Sequence, residues 1–275
     1  MSLLIDGAHH ASDGPGQKKL HRAIGLLGIA LHPDPKRILV IGLGGGVTAG
    51  GASVLPTSSV DIVELARPVL KAARYFSASN YGVLDRPNVH LRVDDGRNYL
   101  LTQPHAYDLI TADLILPQFI GSANLYSADY FRLVARNLSD DGLVVQWIAA
   151  ETDYQYKMML RTFMSAMPYT TMWANGALIV GSKKPLTISR EAFEAKLQDP
   201  KVAEALASIG FTSFDMVMQN YKAGPAELAA YVGQGPILTD NLPVIEYFLS
   251  LPRGGPEPDF ERVHGNVQDI LKKKD

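Results

Sequence analysis

From residue 37 to about residue 182 the chain alternates short β-rich runs with segments suited to helices, a pattern few folds accept. The β-rich runs are RILVIG (37–42), VDIVEL (60–65), VHLRV (89–93), YDLITAD (107–113), LVVQWI (143–148) and ALIVGS (177–182). Between them lie RPVLKAARYFSA (67–78), SADYFRLVARNL (127–138) and DYQYKMMLRTFMSAM (153–167). In the last of these Tyr156, Met159, Leu160, Phe163 and Met167 fall on one helical face. Parallel strands need a crossover, usually a helix, so the alternation implies a mostly parallel sheet covered on both faces. Residues 40–42, 109–110 and 143–145 are nearly all apolar, as strands buried on both sides should be. The expected fold class is α/β, with a doubly wound sheet.

The flanks differ in pattern. Residues 1–36 form an N-terminal leader, a remnant of a β-hairpin region, and HPDPK (32–36) is a loop delivering the chain to the first strand. Residues 37–185 make the sheet domain, and 186–275 a helical C-terminal region carrying SREAFEAKL (189–197), PKVAEALASI (200–209) and GPAELAAYVG (224–233). The apolar run AIGLLGIAL (23–31) falls short of the roughly 18 residues a membrane span requires, and residues 1–10 lack a basic start leading into an apolar stretch. A formal net charge of −2 gives no electrostatic footprint for nucleic acid. With no cysteine, thiolate metal sites and a cysteine nucleophile are excluded. The expectation is a cytoplasmic, soluble chain without direct membrane contact, metal or nucleic-acid partner. Its opening, LLIDGAHH, has no lead-in, as though an earlier strand or domain had been cut away.

The first strand runs straight into glycines: RILVIGLGGGVTAGG, residues 37–51. In an open α/β sheet, ligands bind beyond the carboxyl ends of the strands where strand order reverses, so these glycines are placed to meet one. A phosphate-binding P-loop needs Lys and then Ser or Thr after its last glycine, but Gly51 follows Gly50. The dinucleotide fingerprint Gly-x-Gly-x-x-Gly is met at Gly42 and Gly44 and broken at Val47. Gly42-x-Gly44-x-Gly46 remains, a spacing that resembles S-adenosylmethionine-type nucleotide binders. Their ligand carries no pyrophosphate, so the glycines serve close backbone approach. A ligand-free turn is the bland alternative.

Acids stand at successive strand ends. Glu64 closes the second strand, where a carboxylate can accept both ribose hydroxyls. Asp95-Gly96 follows the third, where a side-chain oxygen can take the adenine amino group, with Asp94 as the alternative. Asp113 ends the fourth strand, facing the space for a sulfonium and its reaction partner. Metalloprotease and nucleophile-elbow motifs are absent from the sequence, and His9-His10 lacks partners at zinc spacing.

With these residues in place, the sequence resembles the spermidine synthase family of aminopropyltransferases. The carriers are IDGAHHAS, ILVIGLGGG, DIVELARPVL, VDDGRNYL, YDLITADLILP and NLYSADYFRLVARNLSDDGLVVQW. LTDNLPVIEYF (238–248) is similar to the bacterial branch in which such a domain is fused behind membrane helices. The resemblance implies a Rossmann-like, methyltransferase-type sheet with a C-terminal helical appendage, and a chain that is the soluble domain of a longer membrane-anchored protein. It implies transfer of a 3-aminopropyl group from decarboxylated S-adenosylmethionine to a diamine or polyamine, and a homodimer as one arrangement open to it. Asp113 matches the catalytic aspartate, Glu64 the ribose acid and Asp95 the adenine contact. His10 falls near a substrate-contacting glutamine, and Tyr126 and Gln146 are placed to line the acceptor side. Asp240 and Glu246 would supply negative charge if the C-terminal segment folds back over the pocket.

There are departures from the family pattern. The family turn usually carries an aspartate where this chain has Gly45, and a second acid before proline where it has Leu116 ahead of Pro117. The Ile-Asp that usually follows the ribose acid is Leu65-Ala66. Each lost acid removes a charge-assisted hydrogen bond worth roughly 1.5–3 kcal/mol. The adenosyl half of the site is therefore intact and the amine half eroded. That leaves a methyltransferase using S-adenosylmethionine itself, or a non-catalytic nucleoside-binding module, as the competing readings.

Overall fold

In a computed structural model of the chain, residues 1–5, 8–102, 106–112, 122–247, 251 and 254–272 are described, the side chains of residues 5 and 8–10 excepted. In chain order the elements are β1 (Ser2–Ile5), β2 (Ala8–Ser12), α1 (Pro15–Leu31), β3 (Arg37–Ile41), α2 (Val47–Ala52), β4 (Ser59–Glu64), α3 (Arg67–Ala73), β5 (Val89–Val93), α4 (Gly96–Thr102) and β6 (Tyr107–Ala112). They continue with α5 (Ala128–Asn137), β7 (Leu138–Trp147), α6 (Asp153–Met164), β8 (Thr171–Trp173), β9 (Leu178–Ser182), α7 (Arg190–Lys196), α8 (Pro200–Ala207), α9 (Phe214–Met218), β10 (Tyr221–Ala223) and α10 (Pro225–Val232). Every β-rich run singled out in the sequence coincides with a strand.

The main sheet has the order β10-β8-β9-β7-β6-β3-β4-β5. Strands β5, β4, β3, β6 and β7 are parallel, whereas β9, β8 and β10 extend the sheet antiparallel. From β3 the chain winds outward through β4 to β5, then returns to β6 on the other side of β3. The order therefore reverses between β3 and β6, and the crevice lies beyond Ile41 and Ala112.

The apolar strands read as continuous runs because successive residues feed opposite cores. Ile38 and Val40 pack with α1, α2 and α3 on one face, and Leu39 and Ile41 with α4, α5 and α6 on the other. Each core gathers aromatic and branched side chains such as Phe193 and Phe214, or Phe131 and Phe163, the latter pair edge-to-face at 5.0 Å.

The segments flanking the sheet domain join these cores. Helix α1 buries Ile24–Leu31, the apolar run of the leader, against the sheet. Its close approach depends on glycine: a Cβ at Gly25 would lie 2.2 Å from the Thr48 carbonyl oxygen, and one at Gly28 2.3 Å from Leu109. Among the described residues no helix is long and apolar enough to cross a membrane. In the C-terminal region, α7, α8 and α9 pack into the α1-side core. Strand β10 pairs with β8 at the sheet edge, a contribution the helical reading of 186–275 did not include.

Candidate functional site

The glycine turn after β3 needs its glycines for backbone reasons. Gly42, Gly44 and Gly46 have φ of 85°, 51° and 77°, in the left-handed region that costs a side-chain-bearing residue about 1–2 kcal/mol. A Cβ at Gly44 would meet nothing within 4 Å, so this residue faces open space. A Cβ at Gly46 would sit 2.9 Å from Asn80 Nδ2. At Gly45 a Cβ would lie 3.3 Å from both Ala11 Cβ and the Phe76 ring.

Asn80 braces the turn from behind. Fully buried, it donates through Nδ2 to the carbonyls of Gly45 and Ala73, both at 2.9 Å, and accepts the Gly82 N–H at 3.1 Å. Nothing local marks it, because an asparagine two residues ahead of a glycine reads as an ordinary turn residue.

Glu64, only 8% exposed, lies at the end of β4 against this turn. Its Oε2 accepts the N–H of Leu43 at 2.8 Å and its Oε1 that of Ala66 at 2.8 Å. Gly42 donates to the Val63 carbonyl at 2.8 Å, closing the same seam. Each carboxylate oxygen keeps a lone pair beyond its backbone bond, so the pair can still accept two vicinal hydroxyls.

One strand over, Glu64 pairs in register with Val93, and the Asp94 N–H donates to the Glu64 carbonyl at 3.2 Å. Asp94 and Asp95 thus stand next to Glu64. Asp95 is exposed; its Oδ1 caps α4 by accepting the N–H groups of Arg97 (3.0 Å) and Asn98 (2.8 Å), which leaves Oδ2 outside the cap. Asp94 Oδ1 accepts from Asp95 N and Asn98 Nδ2. Gly96 is buried because a Cβ there would lie 2.5 Å from Ile41 Cγ2; its absence lets α4 begin against the end of β3.

Beyond the reversal point, Ala112 pairs with Ile41 on one side and with Gln146 on the other. Asp113 follows Ala112 in sequence but lies outside the described residues, as do Leu116 and Pro117 and the side chain of His10. Gln146 is 1% exposed; its Nε2 donates to the Trp147 carbonyl at 3.0 Å, and its Oε1 has no hydrogen-bond partner among the described residues. A buried amide oxygen without a donor is costly and invites one from a ligand. Tyr126 is buried in the core on the same face of the sheet.

Asp240 departs from the expectation that it offers free negative charge. The C-terminal segment does fold back, but both carboxylate oxygens are taken by the Arg97 guanidinium, and Oδ1 also accepts from Ser127 Oγ at 2.6 Å. The hydrogen bond from Arg97 holds the Asp240 carboxyl below its ordinary range against the opposing effect of burial, and Arg97 is raised in turn. Glu246 Oε1 accepts the Ala123 N–H at 3.1 Å. The signal for Arg97 lay in DDGRNYL: a cation in the first turn of a helix opposes the macrodipole and needs an acid from elsewhere.

A family model described as the spermine/spermidine synthase domain matches residues 17–173. The polyamine aminopropyltransferase of Methanocaldococcus jannaschii is 31% identical over 128 residues, 46% of this chain and 43% of that protein. The Bacillus subtilis polyamine aminopropyltransferase is 30% identical over 153 residues, 55% of this chain and 53% of that one. The chain thus spans about half the length of these curated relatives. Among solved structures, spermidine synthase from Thermotoga maritima superposes with a TM-score of 0.63 at 18% identity, covering 84% of this chain and 79% of that one. Human methyltransferase-like protein 13 in complex with SAH gives 0.52 at 20% identity, covering 70% and 91%. At such identities the likeness concerns the fold.

Proposed function

The chain belongs to the spermine/spermidine synthase family, and from that premise we propose that it moves a 3-aminopropyl group from decarboxylated S-adenosylmethionine to a diamine or polyamine. The observation that carries this reading is the placement of Gly42–Gly44–Gly46, Glu64 and Asp95 at the ends of the three neighbouring strands β3, β4 and β5, the first of which borders the point where strand order reverses. In this reading Glu64 takes the two ribose hydroxyls, Asp95 Oδ2 the adenine amino group, and the open side of Gly44 admits the sulfonium portion. Gln146 Oε1 receives an N–H of the acceptor amine.

The reaction is a direct displacement. The lone pair of a neutral amine nitrogen attacks the propyl carbon bonded to sulfur, that C–S bond breaks, and its electrons return to the sulfonium as the thioether of 5′-methylthioadenosine. The new secondary ammonium gives its proton to a base, a role the family resemblance assigns to Asp113. The chain's own work is orientation of two cations and removal of one proton, and it needs no covalent nucleophile.

One observation favours a second reading, methyl transfer from S-adenosylmethionine. Gly45 brings no carboxylate into the turn and is backed closely by Ala11 and Phe76. A turn without that acid does not repel the carboxylate of the intact donor. Incubation with decarboxylated S-adenosylmethionine and putrescine, with methylthioadenosine release as readout, tests the first reading. Release of S-adenosylhomocysteine from the intact donor, with no methylthioadenosine from the other, supports the second.

A further inference from the structure

Residues 238–247 run as a strap across the entry to α5. Leu238 donates to Thr162 Oγ1 at 2.9 Å and accepts from the Ala128 N–H at 2.9 Å, while the Asp240 N–H donates to Asp129 Oδ2 at 3.1 Å. At the far end Ile245 is buried and Glu246 accepts from Ala123. Between these anchors Leu242 is exposed, so the strap is held at its ends.

The strongest anchor is Arg97. Its guanidinium meets both oxygens of Asp240, and Nη1 also donates to the Asn124 carbonyl at 3.0 Å. Planar two-point pairing of this kind fixes orientation as well as distance. The same residue's backbone N–H is bound by Asp95 Oδ1, the acid at the adenine end of the proposed site. One residue therefore touches the adenine-end acid through its main chain and, through its side chain, both the turn entering α5 and the strap.

We propose that Arg97 is a positioning residue: occupation of the adenosyl site at Asp95 and seating of the 238–247 strap on Arg97 stabilise each other. This rests on the adenosyl reading of the site. The coupling is reciprocal by linkage, so loosening the strap weakens adenosyl binding and filling the site tightens the strap. Asp240 acts through Arg97 and carries no contact to substrate.

The test combines calorimetry and amide hydrogen exchange on the whole chain, with methylthioadenosine as probe, for wild type, Arg97→Lys, Arg97→Ala, Asp240→Asn and the double variant Arg97→Ala/Asp240→Asn. Methylthioadenosine should slow exchange of the strap amides several-fold in wild type, partly in Arg97→Lys and not in Arg97→Ala. Its Kd should rise about five- to tenfold in Arg97→Ala and in Asp240→Asn, with no further rise in the double variant. A purely structural pair would loosen the strap in the free protein and leave Kd within about twofold; that result overturns the proposal, as does an additive double variant. Binding to wild type with unchanged strap exchange overturns the coupling alone. Failure of folded wild type to bind overturns the adenosyl reading and the coupling with it. Should Arg97→Ala fail to fold, Arg97→Lys and Asp240→Asn carry the same comparison.

Discussion

The carboxylate of Glu64 accepts the amide hydrogen of Leu43 at 2.8 Å, joining the end of one strand to the glycine turn that follows its neighbour. This bond holds the acid and the turn in one arrangement before any ligand arrives. Glu64→Gln replaces one acceptor oxygen by an amide NH2 donor that must face a backbone N–H, since Leu43 and Ala66 donate to the two carboxylate oxygens. Thermal unfolding should shift down by several degrees, for a loss of about 1.5–3 kcal/mol. Methylthioadenosine affinity measured by calorimetry should fall at least tenfold. Unchanged affinity would remove Glu64 from the ribose site.

Gly44 and Gly46 separate conformational need from space. Both have positive φ, but a side chain at Gly44 enters open space while one at Gly46 collides with Asn80, itself pinned by two carbonyls. Gly44→Ala should cost about 1 kcal/mol of stability yet obstruct the adenosyl group. Gly46→Ala should cost about 2–3 kcal/mol through strain and the displaced asparagine. Chemical denaturation of the two variants checks the order, and the reverse order would contradict it.

Gln146 carries a buried side-chain oxygen that meets no hydrogen-bond donor among the described residues. Gln146→Leu should leave stability unchanged or raise it by about 1 kcal/mol, since an unsatisfied group and one short-range bond are removed together. Steady-state kinetics should show the acceptor KM rising about tenfold with donor affinity unaltered. A clear loss of stability with normal KM would make Gln146 a packing residue.

Much of this molecule is legible in its sequence. The six β-rich runs lie on strands because double burial forces unbroken apolar stretches, and Ser127 caps α5 by accepting the Tyr130 N–H, at the start of its helical pattern. Helix α1 leaves little local signal in the sequence, since its apolar run is broken by Gly25 and Gly28. Those glycines weaken local propensity and serve tertiary approach to α2 and β6. Strands β8 and β10 span three residues each, too short to show a period, and sheet pairing alone makes them strands. At the site, the glycines and acids were visible as residue types, but Asn80 and the Arg97–Asp240 pair depend on contacts 35 and 143 residues apart.

Lys196 offers a test of burial away from the site. The residue is largely buried; its ammonium donates to the Ala192 carbonyl at 3.2 Å and is pushed down to about 8 by burial, with Asp34 opposing. An unfolded lysine titrates at about 10.4. Below pH 8 both states are protonated and the folded state bears the whole cost. Between about pH 8 and 10.4 the unfolded chain binds the extra proton, so this group makes stability rise with pH, by up to about 3 kcal/mol. Lys196→Met should raise stability at neutral pH by about 1–3 kcal/mol and flatten that rise. Denaturation midpoints at pH 7 and pH 10 decide it; a destabilised variant at pH 7 would contradict it.

The account stands on the claim that the glycine turn and the strand-end acids hold an adenosyl group carrying a sulfonium. Calorimetric titration of the folded chain with methylthioadenosine, decarboxylated S-adenosylmethionine and S-adenosylmethionine tests it most directly. The account predicts saturable one-to-one binding of methylthioadenosine and of at least one of the two sulfonium donors. Heat changes at dilution level for all three ligands, from protein shown to be folded, would contradict it.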